Sequence, residues 1–76
     1  MDYQKVTIDK ALTGKRIYDL IKKSNITFEQ LQEFLLLNSP RVIYEWISGR
    51  KLPSTENLVN IALIISVHLE SIIVYR

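Results

Sequence analysis

The side chains of this sequence that could do chemistry gather in one stretch, residues 39–53. Arg41, Tyr44, Glu45 and Ser48 recur three and four positions apart, which puts them on one face of a helix, and Arg50 and Lys51 follow immediately. They offer hydrogen bonding and charge rather than bond breaking. A guanidinium presents donors in a rigid fork, a carboxylate accepts, and hydroxyls do both. A helix of nine or ten residues with such an outer face fits the major groove of DNA. Little else invites reaction chemistry. The chain has one histidine, His68, no cysteine, no phosphate-cradling glycine loop and no cluster of carboxylates. The expectation is a protein that is not an enzyme and needs no cofactor or metal.

The elements that must position this face are written around it. Ser39 can accept a hydrogen bond from an orphan amide of the first helical turn, and Pro40 fits the first helical position. Val42, Ile43, Trp46 and Ile47 form the buried stripe of a helix over 39–48; Gly49 suits a left-handed cap and Pro53 forbids continuation. A second helix is expected over 27–36, with Thr27 as N-cap and Gln30 as its capping-box partner, and Leu31, Phe34 and Leu35 inward. Only Leu37 and Asn38 lie between the two. Helix, tight turn and helix over 27–48 make a helix-turn-helix.

From about Gly14 to Ile73 the sequence resembles the lambda-repressor-like (Cro/XRE-type) DNA-binding domains. The residues that carry the resemblance are Gly14-Lys15-Arg16-Ile17, Thr27 and Leu31, Leu36, and Ser39, Ile43, Trp46, Gly49, Pro53 and Ser54 at their spacings, followed by Leu58, Ile61, Ala62, Ile65 and Val67. The resemblance implies an all-α, compact five-helix domain that binds double-stranded DNA, as a rule as a homodimer on half-sites one helical turn apart. It implies that Pro40, Arg41, Tyr44 and Glu45 approach base edges. Ser48, Arg50, Lys51 and the Tyr44 hydroxyl would then hold phosphates, with the amides near Thr27 and Ser39 as further phosphate sites. Three departures stand out. Ile21 and Ile47 replace an arginine–glutamate pair that is buried in the family, a change that conserves burial only when both partners go, so the two isoleucines are expected to touch. Leu37 stands where the turn usually has glycine, which leaves Asn38 as a candidate for the left-handed residue. Phe28 and Gln32 replace the usual glutamine and alanine, so Phe28 cannot make the glutamine's contact with the DNA backbone and is left to pack on a sugar or to staple the helix.

Seventy-six residues with a formal net charge of +2 bound the rest. They suit one domain over 1–76, with a core at about 13–73. The longest apolar runs are too short to span a bilayer, and the amino terminus does not read as a signal peptide, so the expected place is the cytoplasm, away from membranes. Cations lie beside the 39–48 helix, while 54–71 carries only Glu56 and Glu70. A first helix is expected over 13–24, with Ile17, Leu20 and Ile21 inward, Lys22 and Lys23 favourably placed in its last turn, and Asn25 as left-handed cap. A fourth helix after Ser54 should bury Leu58, Ile61, Ala62 and Ile65. Ser66 breaks that pattern, and a short fifth helix capped by His68 follows. Val6 and Ile8 alternate with polar residues, and 72–75 is rich in β-branched and aromatic types. The termini are therefore expected to form a small antiparallel two-stranded ribbon, the alternatives being that one or both are disordered or pair with a second chain.

The function these readings favour is a sequence-specific transcriptional regulator, a repressor before an activator. The alternatives are the antitoxin of a toxin–antitoxin pair, or a protein-interaction module that kept the fold without DNA binding. Leu63 and Ile64 fall where the family tends to be polar, which suits either extra core or self-association with a protein partner.

Overall fold

Asp9 opens the first helix. Its backbone is extended and its carboxylate accepts from the Leu12 amide at 2.9 Å, the geometry of an N-cap. A computed structural model describes residues 5–75 and carries four α-helices among them. These are α1 (Lys10–Lys23), α2 (Phe28–Phe34), α3 (Arg41–Ile47) and α4 (Thr55–Ile64), followed by a single 3-10 turn at Leu69–Ser71. The all-α class expected from the sequence is present. The start of α1 lies three residues before the expected one, because Asp9 caps it.

Each α-helix ends on the same backbone device. Asn25, Leu36, Gly49 and Ser66 all have left-handed dihedrals, with φ of 57°, 56°, 80° and 57°. After α2, α3 and α4 this residue and its successor donate back to the last carbonyls in the paired pattern that closes a helix. Examples are Leu36 N to Glu33 O at 3.1 Å and Leu37 N to Gln32 O at 3.0 Å. The turn between α2 and α3 thus departs from expectation. The left-handed residue is Leu36, not Leu37 or Asn38, and the connection runs from Leu35 to Pro40. The reason is packing: Leu37 lies against the core, so the strained position falls on Leu36, whose side chain is 88% exposed.

The core is formed by Ile17, Ile21, Leu31, Ile43, Trp46, Leu58, Ile61, Ala62, Ile65 and Ile72, with every helix contributing. Trp46 is a core residue, as its place in the apolar stripe suggested. Phe34 is not: it is 58% exposed, and Leu31 is the buried residue of α2. Ile21 is buried and Ile47 is partly buried against the same core.

α1 packs across α3 at a seam set by two glycines. A β-carbon on Gly14 would run into the Trp46 carbonyl and come within 2.7 Å of the Ile47 oxygen. A β-carbon on Gly49 would come within 2.8 Å of the Ala11 Cα. The neighbours at both points are backbone and cannot swing aside.

Two expectations are corrected at the carboxyl end. The fifth helix is only the 3-10 turn, and the His68 side chain makes no cap bond there. Too few residues separate the left-handed Ser66 from the β-branched run at Ile72 for an α-helix to propagate. Among the described residues the ribbon reduces to one antiparallel bridge, Ile8 with Tyr75, beside a 2.7 Å hydrogen bond from Asp9 N to Val74 O. It stops there because α1 begins at once after Asp9, and because the Val74 amide is taken by a side chain. The buried Thr13 hydroxyl accepts from Val74 N at 3.0 Å and donates to Val74 O at 3.3 Å. Arg16 adds a 2.8 Å bond to the Ser71 carbonyl.

Gly14→Ala is expected to cost about 3 kcal/mol in urea unfolding, since the added methyl meets backbone on a packed seam. Leu36→Gly should raise stability by up to about 1 kcal/mol in the same assay. It relieves a left-handed leucine, and the entropy of glycine offsets only part of that gain.

Candidate nucleic-acid interface

The local sequence of α3 decides which side chains face out. Ser39 Oγ accepts from the Arg41 amide at 3.1 Å, and Pro40, with helical dihedrals, offers its carbonyl to Ile43 at 3.0 Å. The helix begins at Arg41, two residues after the start of the expected 39–48 helix, because Pro40 rather than Ser39 takes the cap position. With Ile43 and Trp46 committed to the core, the residues between them are turned to solvent. Arg41, Tyr44, Ser48 and Arg50 are exposed and Glu45 is half-buried.

Five of the nine site residues expected from sequence come together. Arg41, Tyr44, Glu45, Ser48 and Arg50 line one open cavity of about 260 Å³ on the outer side of α3. Two guanidinium groups, a phenol, a carboxylate and a hydroxyl thus share a single concave surface. Lys51 joins them through its ammonium, 3.7 Å from the Glu45 carboxylate. That pair is 67% exposed on the lysine side and 22% on the glutamate side, so solvent screening leaves it worth less than about 1 kcal/mol. The glutamate keeps capacity to accept from a ligand.

The remaining site residues, and Ser48 as well, have local duties. Ser48 Oγ donates to the Glu45 carbonyl at 3.1 Å. Ser39 and Pro40 are half-buried at the helix start and do not line the cavity. Thr27 sits at the start of α2, where its hydroxyl accepts from Gln30 N at 3.0 Å while the Gln30 side chain accepts from Thr27 N at 3.0 Å. This is the full capping box expected from the sequence.

A part of the site that sequence reasoning missed is the role of Phe28. Its half-buried ring meets Tyr44 edge to face, with centroids 5.2 Å apart and planes at 89°. On its other side it meets Tyr18 of α1 at 6.3 Å. One ring at the start of α2 thereby braces both α1 and the exposed face of α3. The signal was present as an aromatic residue directly after a helix cap, but its partners are distant in sequence and no periodicity joins them.

No helix among the described residues is long and apolar enough to cross a membrane. The described residues also hold no group of three His, Cys, Asp or Glu side chains placed to bind a metal ion. No family model, curated protein or solved structure matches this chain.

Phe28→Ala is expected to lower stability by about 2 kcal/mol in urea unfolding, below the range for a fully buried phenylalanine because the ring is only half-buried. Tyr44→Ala, at a 55% exposed position, should cost under half as much.

Proposed function

We propose that this chain is a sequence-specific regulator of transcription that binds double-stranded DNA with α3 in the major groove. The observation that carries the reading is the cavity on α3. Its lining of Arg41, Tyr44, Glu45, Ser48 and Arg50 offers donors and acceptors on one exposed face of a short helix, held at a fixed angle by the capped α2 and the glycine seam with α1. Arg41 pairs with the acceptors of a guanine, and Glu45 accepts from a cytosine or holds Lys51 toward the backbone. Arg50, Lys51 and the Tyr44 hydroxyl grip phosphates, and Ser48 and the amides that follow Thr27 complete that grip; the Ser39 end offers less, because Pro40 has no N–H and the Arg41 amide already donates to Ser39 Oγ. Pro40 adds apolar contact. The resemblance to lambda-repressor-like domains supports the same assignment, with repression the first expectation and a homodimer the binding form. No catalytic step or cofactor enters this reading, and its setting is the bacterial cytoplasm.

A second reading has its own observation. Phe34, Leu36 and Leu63 expose apolar side chains, Leu63 to 71%, with Val59 one turn before it on α4. Ile64, paired with Leu63 in the sequence reading, packs partly buried against the core, so Val59 and Leu63 form the outer stripe of α4. Such side chains fit a protein partner, as an antitoxin or an interaction module would have, or the second copy of a homodimer.

Selection from a random duplex pool at low and moderate salt separates these readings. A regulator yields a palindromic site with half-sites about 34–36 Å apart. Arg41→Ala then costs about 1–3 kcal/mol at one base position while leaving random DNA bound almost as before. Absence of binding at low salt would leave the interaction module.

A further inference from the structure

Lys22, in the last turn of α1, has an ordinary explanation: a cation there complements the helix dipole. Its geometry goes further. The ammonium lies over the Tyr18 ring, 5.4 Å from the centroid. Tyr18 meets Phe28 at 6.3 Å, and Phe28 meets Tyr44 at 5.2 Å. A continuous run of rings therefore connects this cation to the exposed face of α3, crossing α1, α2 and α3 in turn. Cation–ring attraction holds a flexible lysine in a narrower range of positions than free solvent would.

From this arrangement we propose that Lys22 is a phosphate contact for duplex DNA, extending the interface from α3 to the carboxyl end of α1. The inference rests on the DNA-binding reading above. The major groove is about 12 Å wide. On this proposal Tyr44 lies at the groove's edge, and Lys22, displaced from it along the ring run, meets the phosphate backbone rather than the bases. Its contribution is electrostatic and indifferent to sequence. Tyr18 and Phe28 are positioning residues: they set where the charge stands and need not touch DNA themselves.

The test is the salt dependence of duplex binding by the full chain, measured by fluorescence anisotropy on a selected site and on random duplex. Lys22→Gln is compared with Arg50→Gln, with Tyr18→Leu, and with Lys15→Gln as control. Lys15 lies on α1 two turns before Lys22, beside Leu12, Asp19 and Val74. Lys22→Gln is expected to shrink the slope of log K against log salt by about one and to weaken both duplexes equally, keeping their ratio. Tyr18→Leu should keep the slope and weaken binding about two- to fivefold, the equivalent of an exposed cation–ring contact. Lys15→Gln should change neither. Circular dichroism and thermal melts confirm that each variant is folded. If Lys22→Gln keeps the wild-type slope while Arg50→Gln lowers it, the Lys22 contact is overturned and the α3 reading stands. If the wild-type chain binds neither duplex at low salt, both fall together.

Discussion

The backbone contact between α1 and the end of α3 is the constraint on which the rest of the structure depends. At Gly14 the first helix passes so close to the Trp46 and Ile47 carbonyls that no side chain fits. At Gly49 the chain leaving α3 turns with φ of 80° directly against Ala11. Both contacts involve main chain on each side, so neither relaxes by a change of rotamer. They fix the height and angle of α3 on α1. Trp46 and Ile43 then fall into the core, and the Arg41–Tyr44–Ser48 side of the same helix has no option but solvent. A face of polar side chains is held in place because the apolar side of its helix is fixed by backbone geometry.

Around this seam the chain is closed by short, local devices. The Thr27–Gln30 capping box, the Ser54 cap on the Asn57 amide at 3.1 Å and the four left-handed helix ends each satisfy groups that a helix terminus would otherwise leave unpaired. The two ends of the chain meet through Thr13, whose buried hydroxyl both accepts from and donates to Val74. In a domain this small, where the core supplies limited stability, such bonds matter in proportion. Leu36 works against stability, an exposed leucine held in a left-handed conformation so that Leu37 can pack.

What was legible in the sequence follows the range of the interactions. Caps and periodicity act within four residues, so the box at Thr27, the cap at Ser54, the apolar stripe of α3 and the left-handed Asn25 and Gly49 could all be read directly. The Ile17, Leu31, Ile43, Trp46 and Ile61 core followed from the same periodicity. Misjudged elements depend on competition between neighbours or on distant partners. Leu36 rather than Asn38 became left-handed because of what Leu37 packs on. The ribbon shrank to a bridge because Asp9 captured the chain for α1. Within the candidate site, the outward face of α3 was visible as spacing. The bracing of Tyr44 by Phe28, and of Phe28 by Tyr18, joins three helices and leaves no trace in any single window.

The central claim, that the outer face of α3 meets duplex DNA, is most directly tested by following backbone amide resonances of the labelled chain by NMR during titration with a short duplex at low salt. The account predicts shifts that cluster at Arg41, Tyr44, Ser48 and Arg50 and extend to Lys22, with Val59, Leu63 and Glu70 unmoved. Shifts centred on α4, or none at all, would contradict it.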